Sequence, residues 1–236
     1  MSSVPRGQPV ISIRQTLIDV SVLLIRKPLV IFWSFVTGFL TGLTGQLLLG
    51  TGAAALQRYL IGGLRGEKGQ GLRWDGVFTT THLLLSLLFM GLSFLILLFF
   101  GGASFLVLDL LANTMITLIF LYSFVVARAD LTVAQVLQQN AELIRKGDLW
   151  KQVALVFLWS YLQYLAGSQI PAPNITFNDM MNLNPDQAEE LLRFFMSYAL
   201  MMWVSYTVGS MVVASWYHQL TDPARQKDKI ELKKEA

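Results

Sequence analysis

His82 and His218 are the residues of this chain whose type best suits a metal or a haem. They fall in different apolar runs, at ends that the charge pattern assigns to one side of a membrane, and two imidazoles at similar depth can act as a ligand pair. His82 follows "TTT" and His218 follows "SWY". Those polar and aromatic-belt surroundings favour the plainer role of an interfacial polar cap, so no cofactor is expected. The chain has no cysteine, which excludes a disulfide framework, a thiolate metal site and a cysteine nucleophile.

Two further motifs fail on spacing. "EELLR" at Glu189 to Arg193 is near the EExxxR pattern of CAAX-type intramembrane proteases, yet it is one residue short and no histidine lies close by. "GGLRGEKGQG" lacks the Lys-Ser or Lys-Thr ending of a phosphate-binding loop and follows no strand, so it reads as a turn. Charges inside membrane spans mark ion or proton pathways, and here only Arg58 is a candidate, with Asp109 at an edge. Uncharged polar residues cluster at Asn113, Thr114 and Thr117, at Ser160, Tyr161, Gln163 and Tyr164, and at Ser205, Tyr206 and Thr207. Hydrogen bonding between helices accounts for them, with a polar substrate cavity as the alternative.

The elements that must position these residues are membrane helices. Of 236 residues 54% are hydrophobic and 14% charged, with mean hydropathy +0.52, whereas a soluble domain carries about 25% charge. Uncharged runs predict transmembrane helices over 77–100, 106–127, 150–170 and 194–220, each able to cross about 30 Å of hydrocarbon. Residues 28–57 form another uncharged stretch. Backbone groups in lipid must be satisfied within the segment, so all are helices, and without alternation a β-barrel is excluded. No cleaved leader is expected, because the charged N-terminal lead and the apolar core are both too long for one.

Lys and Arg gather on the cytoplasmic side of membrane proteins. Arg6, Arg14, Arg26 and Lys27 precede 28–57, and Arg58, Arg65, Lys68 and Arg73 follow it. Two basic flanks require the chain to enter and return, so 28–64 is a short hairpin that crosses twice or re-enters, turning at "GLTGQ". Gly38 with Gly42, and Gly62 with Gly66, form small-xxx-small pairs that would let helices approach closely. The alternation continues with a basic segment 128–151, an outer loop 168–190 free of Lys and Arg, and a basic tail 221–236. Both termini are thereby cytoplasmic.

Amphipathic helices are expected over 10–27 and 130–147, lying along the cytoplasmic face. The first sets Ile11, Leu17, Val20 and Leu24 toward one face, with Arg14 and Asp19 elsewhere. Candidate contacts with anionic headgroups or a partner are Arg58, Arg65, Lys68, Arg73, Trp74, Arg145, Lys146 and Trp150. On the outer side Met180 and Met181 suggest a lid or a partner contact, Asn184 and Pro185 can start a helix, and Asn174 heads an "NIT" glycosylation pattern.

"DLTVAQVLQQNAELIRKGDLWKQVALVFLW", preceded by "RYLIGGLRGE" and an amphipathic helix, resembles the plan of poorly characterised prokaryotic six-helix families related to the membrane domain of glycerophosphodiester phosphodiesterases. The likeness covers the topology of most of the chain, and its local signature is the amphipathic helix running into "KG.LW". Members often carry a Ser-Trp pair where this chain has Asn140 and Ala141, and the catalytic domain has no counterpart. The resemblance implies a membrane module of unassigned activity in a prokaryotic inner membrane.

Sequence alone thus predicts an all-α, polytopic integral membrane bundle of about six transmembrane helices with interfacial amphipathic helices. The expected role is a non-enzymatic accessory, assembly or scaffold subunit, with partners in the anionic bilayer and in other membrane subunits or further copies of the chain. Transport of a small or lipidic substrate is the alternative. Nucleic acid is not expected, because the basic residues sit in short clusters between apolar runs.

Overall fold

The computed structural model describes residues 11–44, 46–69, 71–100, 106–173 and 184–222, and every element among them is a helix. In chain order these are α1 (Ile13–Arg26), α2 (Val30–Leu43), α3 (Leu49–Leu64), α4 (Thr80–Phe100), α5 (Leu106–Phe120), α6 (Ser123–Val126), α7 (Val133–Lys146), α8 (Leu149–Ser168) and α9 (Pro185–Thr221). Two stretches are long and apolar enough to cross a membrane: Leu106–Val126, combining α5 and α6, and α9. A third is added if α1 and α2, bent by 93° at their junction, count as one.

Local chemistry sets the boundaries. The Ser12 hydroxyl accepts from the Gln15 N–H at the start of α1, and capping boxes built on Thr132/Gln135 and Asn184/Gln187 open α7 and α9. Helix α9 carries Pro185 in its first turn, where the missing N–H is harmless. Gly66, at φ +82°, ends α3: the Glu67 N–H reaches the Gly62 carbonyl and the Gly66 N–H that of Gly63, a Schellman arrangement.

Helix α3 is the hub. Thirteen of its sixteen residues are buried, and its small N-terminal stretch from Gly50 to Ala55 lets neighbours close in from several sides. A Cβ at Gly50 would lie 2.6 Å from the His82 carbonyl oxygen, and one at Gly52 3.3 Å from Thr37 Cβ. The glycine pairs picked out by spacing do not play this part. Gly42 and Gly66 face open space, Gly38 meets Tyr206 only at ordinary distance, and Gly62 approaches just the Glu67 carboxylate.

Helix α1 turns polar residues toward the bundle. Thr16, Asp19 and Leu23 are its buried face, while Leu17 (65% exposed) and Ile25 (80%) point outward. Buried polar groups require partners, and these come from α9: Ser215 for Asp19, and Trp216 and Gln219 for Thr16. Where the surroundings are lipid, an outward apolar face carries no penalty. Helix α7 buries Val136, Asn140, Leu143 and Ile144. Asn140 serves the break between α5 and α6, accepting from the Tyr122 N–H at 2.8 Å and donating to the Leu118 and Ile119 carbonyls at 3.0 and 2.9 Å.

Burial is confined to one half of the bundle. Among the described residues none is buried in α4 beyond Ser86, in α5 before Leu110, in α8 beyond Ser160 or in α9 before Thr207. The half that holds α3, α6, α7 and the ends of α1 and α9 is close-packed, and the other half is open.

Candidate functional site

At the packed end, Lys27 at the α1–α2 corner, α3, then Glu67, Gly69, Gly71, Arg73 and Asp75, Val125 of α6 and Tyr217 of α9 line a cavity of about 470 Å³. Its four cations are Lys27, Arg58, Arg65 and Arg73, facing the two carboxylates of Glu67 and Asp75. Tyr59 and Tyr217 close its inner wall.

Lys27 comes from the α1–α2 corner. Its N–H bonds the Leu23 carbonyl and its carbonyl accepts from Val30, so the backbone turns there and sends the side chain over α3. Gly63 makes room, since a Cβ would sit 2.7 Å from Lys27 Cγ. The ammonium then lies 4.9 Å from the Tyr59 ring centroid and donates to the Gly69 carbonyl. Lys27 is only 2% exposed. Burial pushes its pKa down from 10.5, Glu67 partly raises it, and Arg73 lowers it again.

Arg58 reaches out of the middle of α3. Its Nη1 donates to the Asp75 carbonyl at 2.9 Å and its Nη2 to the Ala127 carbonyl at 3.4 Å, tying the 71–76 segment and the end of α6 to the hub. Arg65 caps α3 and makes no ion pair among the described residues. Arg73 pairs with Glu67 at 3.7 Å, both side chains largely exposed, which is worth little. Leu72, Trp74 and Val77 pack on Ala54 and Ala55, and Trp74 stacks on Phe78 at 5.7 Å, so the segment is clamped down by apolar contacts as well.

Of the contacts expected from sequence, the structure therefore brings Arg58, Arg65 and Arg73 to one cavity, while Trp74 packs on Ala54 and Ala55 and does not line it. Lys68 is exposed on the same segment without lining the cavity, and Arg145, Lys146 and Trp150 (78% exposed) sit apart at the α7–α8 junction. His82 is wholly buried, its Nδ1 2.7 Å from the Thr79 hydroxyl, while His218 faces Asp222 at 3.5 Å. No group of three or more His, Cys, Asp or Glu fit to hold a metal occurs among the described residues. Arg193 pairs with Glu189 at 2.5 Å along the exposed start of α9. Met180, Met181, Asn174 and the tail beyond 222 lie outside the described residues.

Lys27 was legible only as one more basic residue, and its burial follows from Gly63, whose role no spacing rule reveals. The polar seam of Thr16, Asp19, Ser215 and Gln219 was missed because its halves are some 200 positions apart. No family model matches the chain, and neither a curated protein nor a solved structure does.

Proposed function

We propose that the chain is a non-enzymatic module of a prokaryotic inner membrane, an accessory, assembly or scaffold subunit, built on the six-helix plan it resembles. The short α2–α3 hairpin, α4, the α5–α6 unit, α8 and α9 would supply the six membrane-embedded helices. At 1.5 Å per residue α4 and α8 measure about 30 Å, the thickness of the hydrocarbon, whereas α2 and α3 reach only about 21 and 24 Å. In this reading the end rich in Lys and Arg faces the cytoplasm.

The observation that carries the proposal is the one-sided packing. The open half presents Phe94 and Leu98 of α4 and Phe195, Met196, Leu200 and Met202 of α9 outward. Helices in lipid gain association energy from close packing and not from apolar burial, so outer halves whose own side chains stay exposed suit packing against a partner's helices.

The alternative of transport draws support from an apolar cavity of about 440 Å³ among α2, α4 and α9, lined by Phe35, Phe39, Phe89, Trp203 and Tyr206, which fits a lipidic substrate better than a polar one. The space where α8 and α9 meet is also apolar, lined by Leu158, Trp159 and Val212.

Native extraction of a C-terminally tagged chain in mild detergent, followed by mass determination, separates the two. A stoichiometric second protein supports the accessory reading. A lone monomer or homo-oligomer contradicts it and directs attention to transport.

A further inference from the structure

We propose that the basic cavity of Lys27, Arg58, Arg65 and Arg73 is a binding site for a phosphate group, supplied by an anionic lipid headgroup or by a soluble phosphate. The inference goes beyond the accessory role and does not depend on it, since the cavity belongs wholly to this chain.

Charge balance is the first support. Four cations meet two carboxylates around about 470 Å³, a volume within the usual range of ligand pockets, so two positive charges are left over at one spot. Basic residues that merely mark the cytoplasmic side would spread outward into water and headgroups. Here Lys27 turns inward to 2% exposure over a glycine that must be there to admit it, and it makes no ion pair among the described residues.

Donor capacity is the second. Among the described residues Arg58 spends two of its five N–H donors, on the Asp75 and Ala127 carbonyls, which fix the guanidinium in place. Arg65 has no ion-pair partner among the described residues, and the weak Arg73–Glu67 contact at 3.7 Å is easily exchanged. Guanidinium forks match the paired oxygens of a phosphate, with Lys27 as a buried point charge behind them. Such preset donors recognise an oxyanion bearing one or two charges better than a neutral ligand.

Position is the third. Trp74, between the cavity residues Arg73 and Asp75 in the chain, stacks on Phe78, and amphipathic rings of this kind settle at headgroup level. A lipid phosphate would therefore meet the cavity at its own depth.

The full-length chain would be placed in nanodiscs of phosphatidylcholine alone or with one-fifth phosphatidylglycerol, and bound lipid counted by native mass spectrometry. Inorganic phosphate would be titrated in parallel by its effect on thermal unfolding. Exposed Arg65 and Arg73 can change without disturbing the fold, so R65Q/R73Q is the test variant and R145Q/K146Q, equal in charge change but outside the cavity, the control. R58K keeps the charge and loses the fork. If phosphatidylglycerol is retained and R65Q/R73Q weakens it about tenfold or more with the control unchanged, the site takes a lipid headgroup. If only inorganic phosphate binds, with the same dependence, the source is soluble. Equal losses in the test and control variants, or none in either, would overturn the proposal.

Discussion

The Ser215 hydroxyl, near the end of α9, donates at 2.8 Å to a carboxylate oxygen of Asp19 in α1, joining positions 196 residues apart. Gln15 Nε2 donates to the other oxygen at 2.8 Å, so this buried carboxylate links the first helix to the last. Asp19→Leu should leave both donors without their acceptor and lower stability by about 1–3 kcal/mol, with Asp19→Asn losing less. Thermal unfolding in detergent reads the difference, and a leucine variant as stable as the parent would show that the seam contributes nothing.

Asn140 closes the gap between α5 and α6. Asn140→Leu deprives the Tyr122 N–H of its acceptor and takes one of the donors from each of the Leu118 and Ile119 carbonyls, and should cost about 1–3 kcal/mol. Amide exchange checks the mechanism directly: the Tyr122 amide should lose protection before those of α7. Unchanged protection would mean that the break is satisfied by other means.

Glycines separate by what surrounds them. At Gly50 a Cβ would strike backbone, so Gly50→Ala should destabilise by about 1–3 kcal/mol through overpacking. At Gly42, a helical position facing open space, alanine should gain up to about 1 kcal/mol from helix propensity. A stabilising change at Gly50, or a large loss at Gly42, would reverse the assignment of close contacts.

Lys27 gives stability a pH dependence of definite sign. Because burial lowers its pKa in the folded protein below the 10.5 of the unfolded chain, the native state releases its proton first as pH rises. Stability associated with this group should therefore increase between the lowered value and 10.5, and Lys27→Met should flatten that rise. A slope unchanged in Lys27→Met would assign it to other groups.

The helices themselves are readable in the sequence because lipid-facing and buried positions are both apolar, leaving long uncharged runs. The same fact hides orientation. In α1 the periodicity separates Leu17 and Leu24 from Thr16 and Asp19, yet it does not say which face meets protein, and the inward face is the polar one. Arg58, Arg65 and Arg73 were legible by charge and flank alone. Their convergence with Lys27 was not, because it depends on the backbone corner after Arg26 and on the clearance over Gly63. Asn140 reads as an ordinary polar position of an amphipathic helix until the break it serves, eighteen residues earlier, is seen.

The proposed orientation in the membrane is what would place the cavity on the cytoplasmic side. The cysteine-free chain allows a direct test with single cysteines at Gly69, on the segment that borders the cavity, and at Ser168, the last residue of α8. In intact cells an impermeant thiol reagent should label Ser168→Cys, and should reach Gly69→Cys only after permeabilisation. Labelling of Gly69→Cys from outside, with Ser168→Cys protected, would contradict the account.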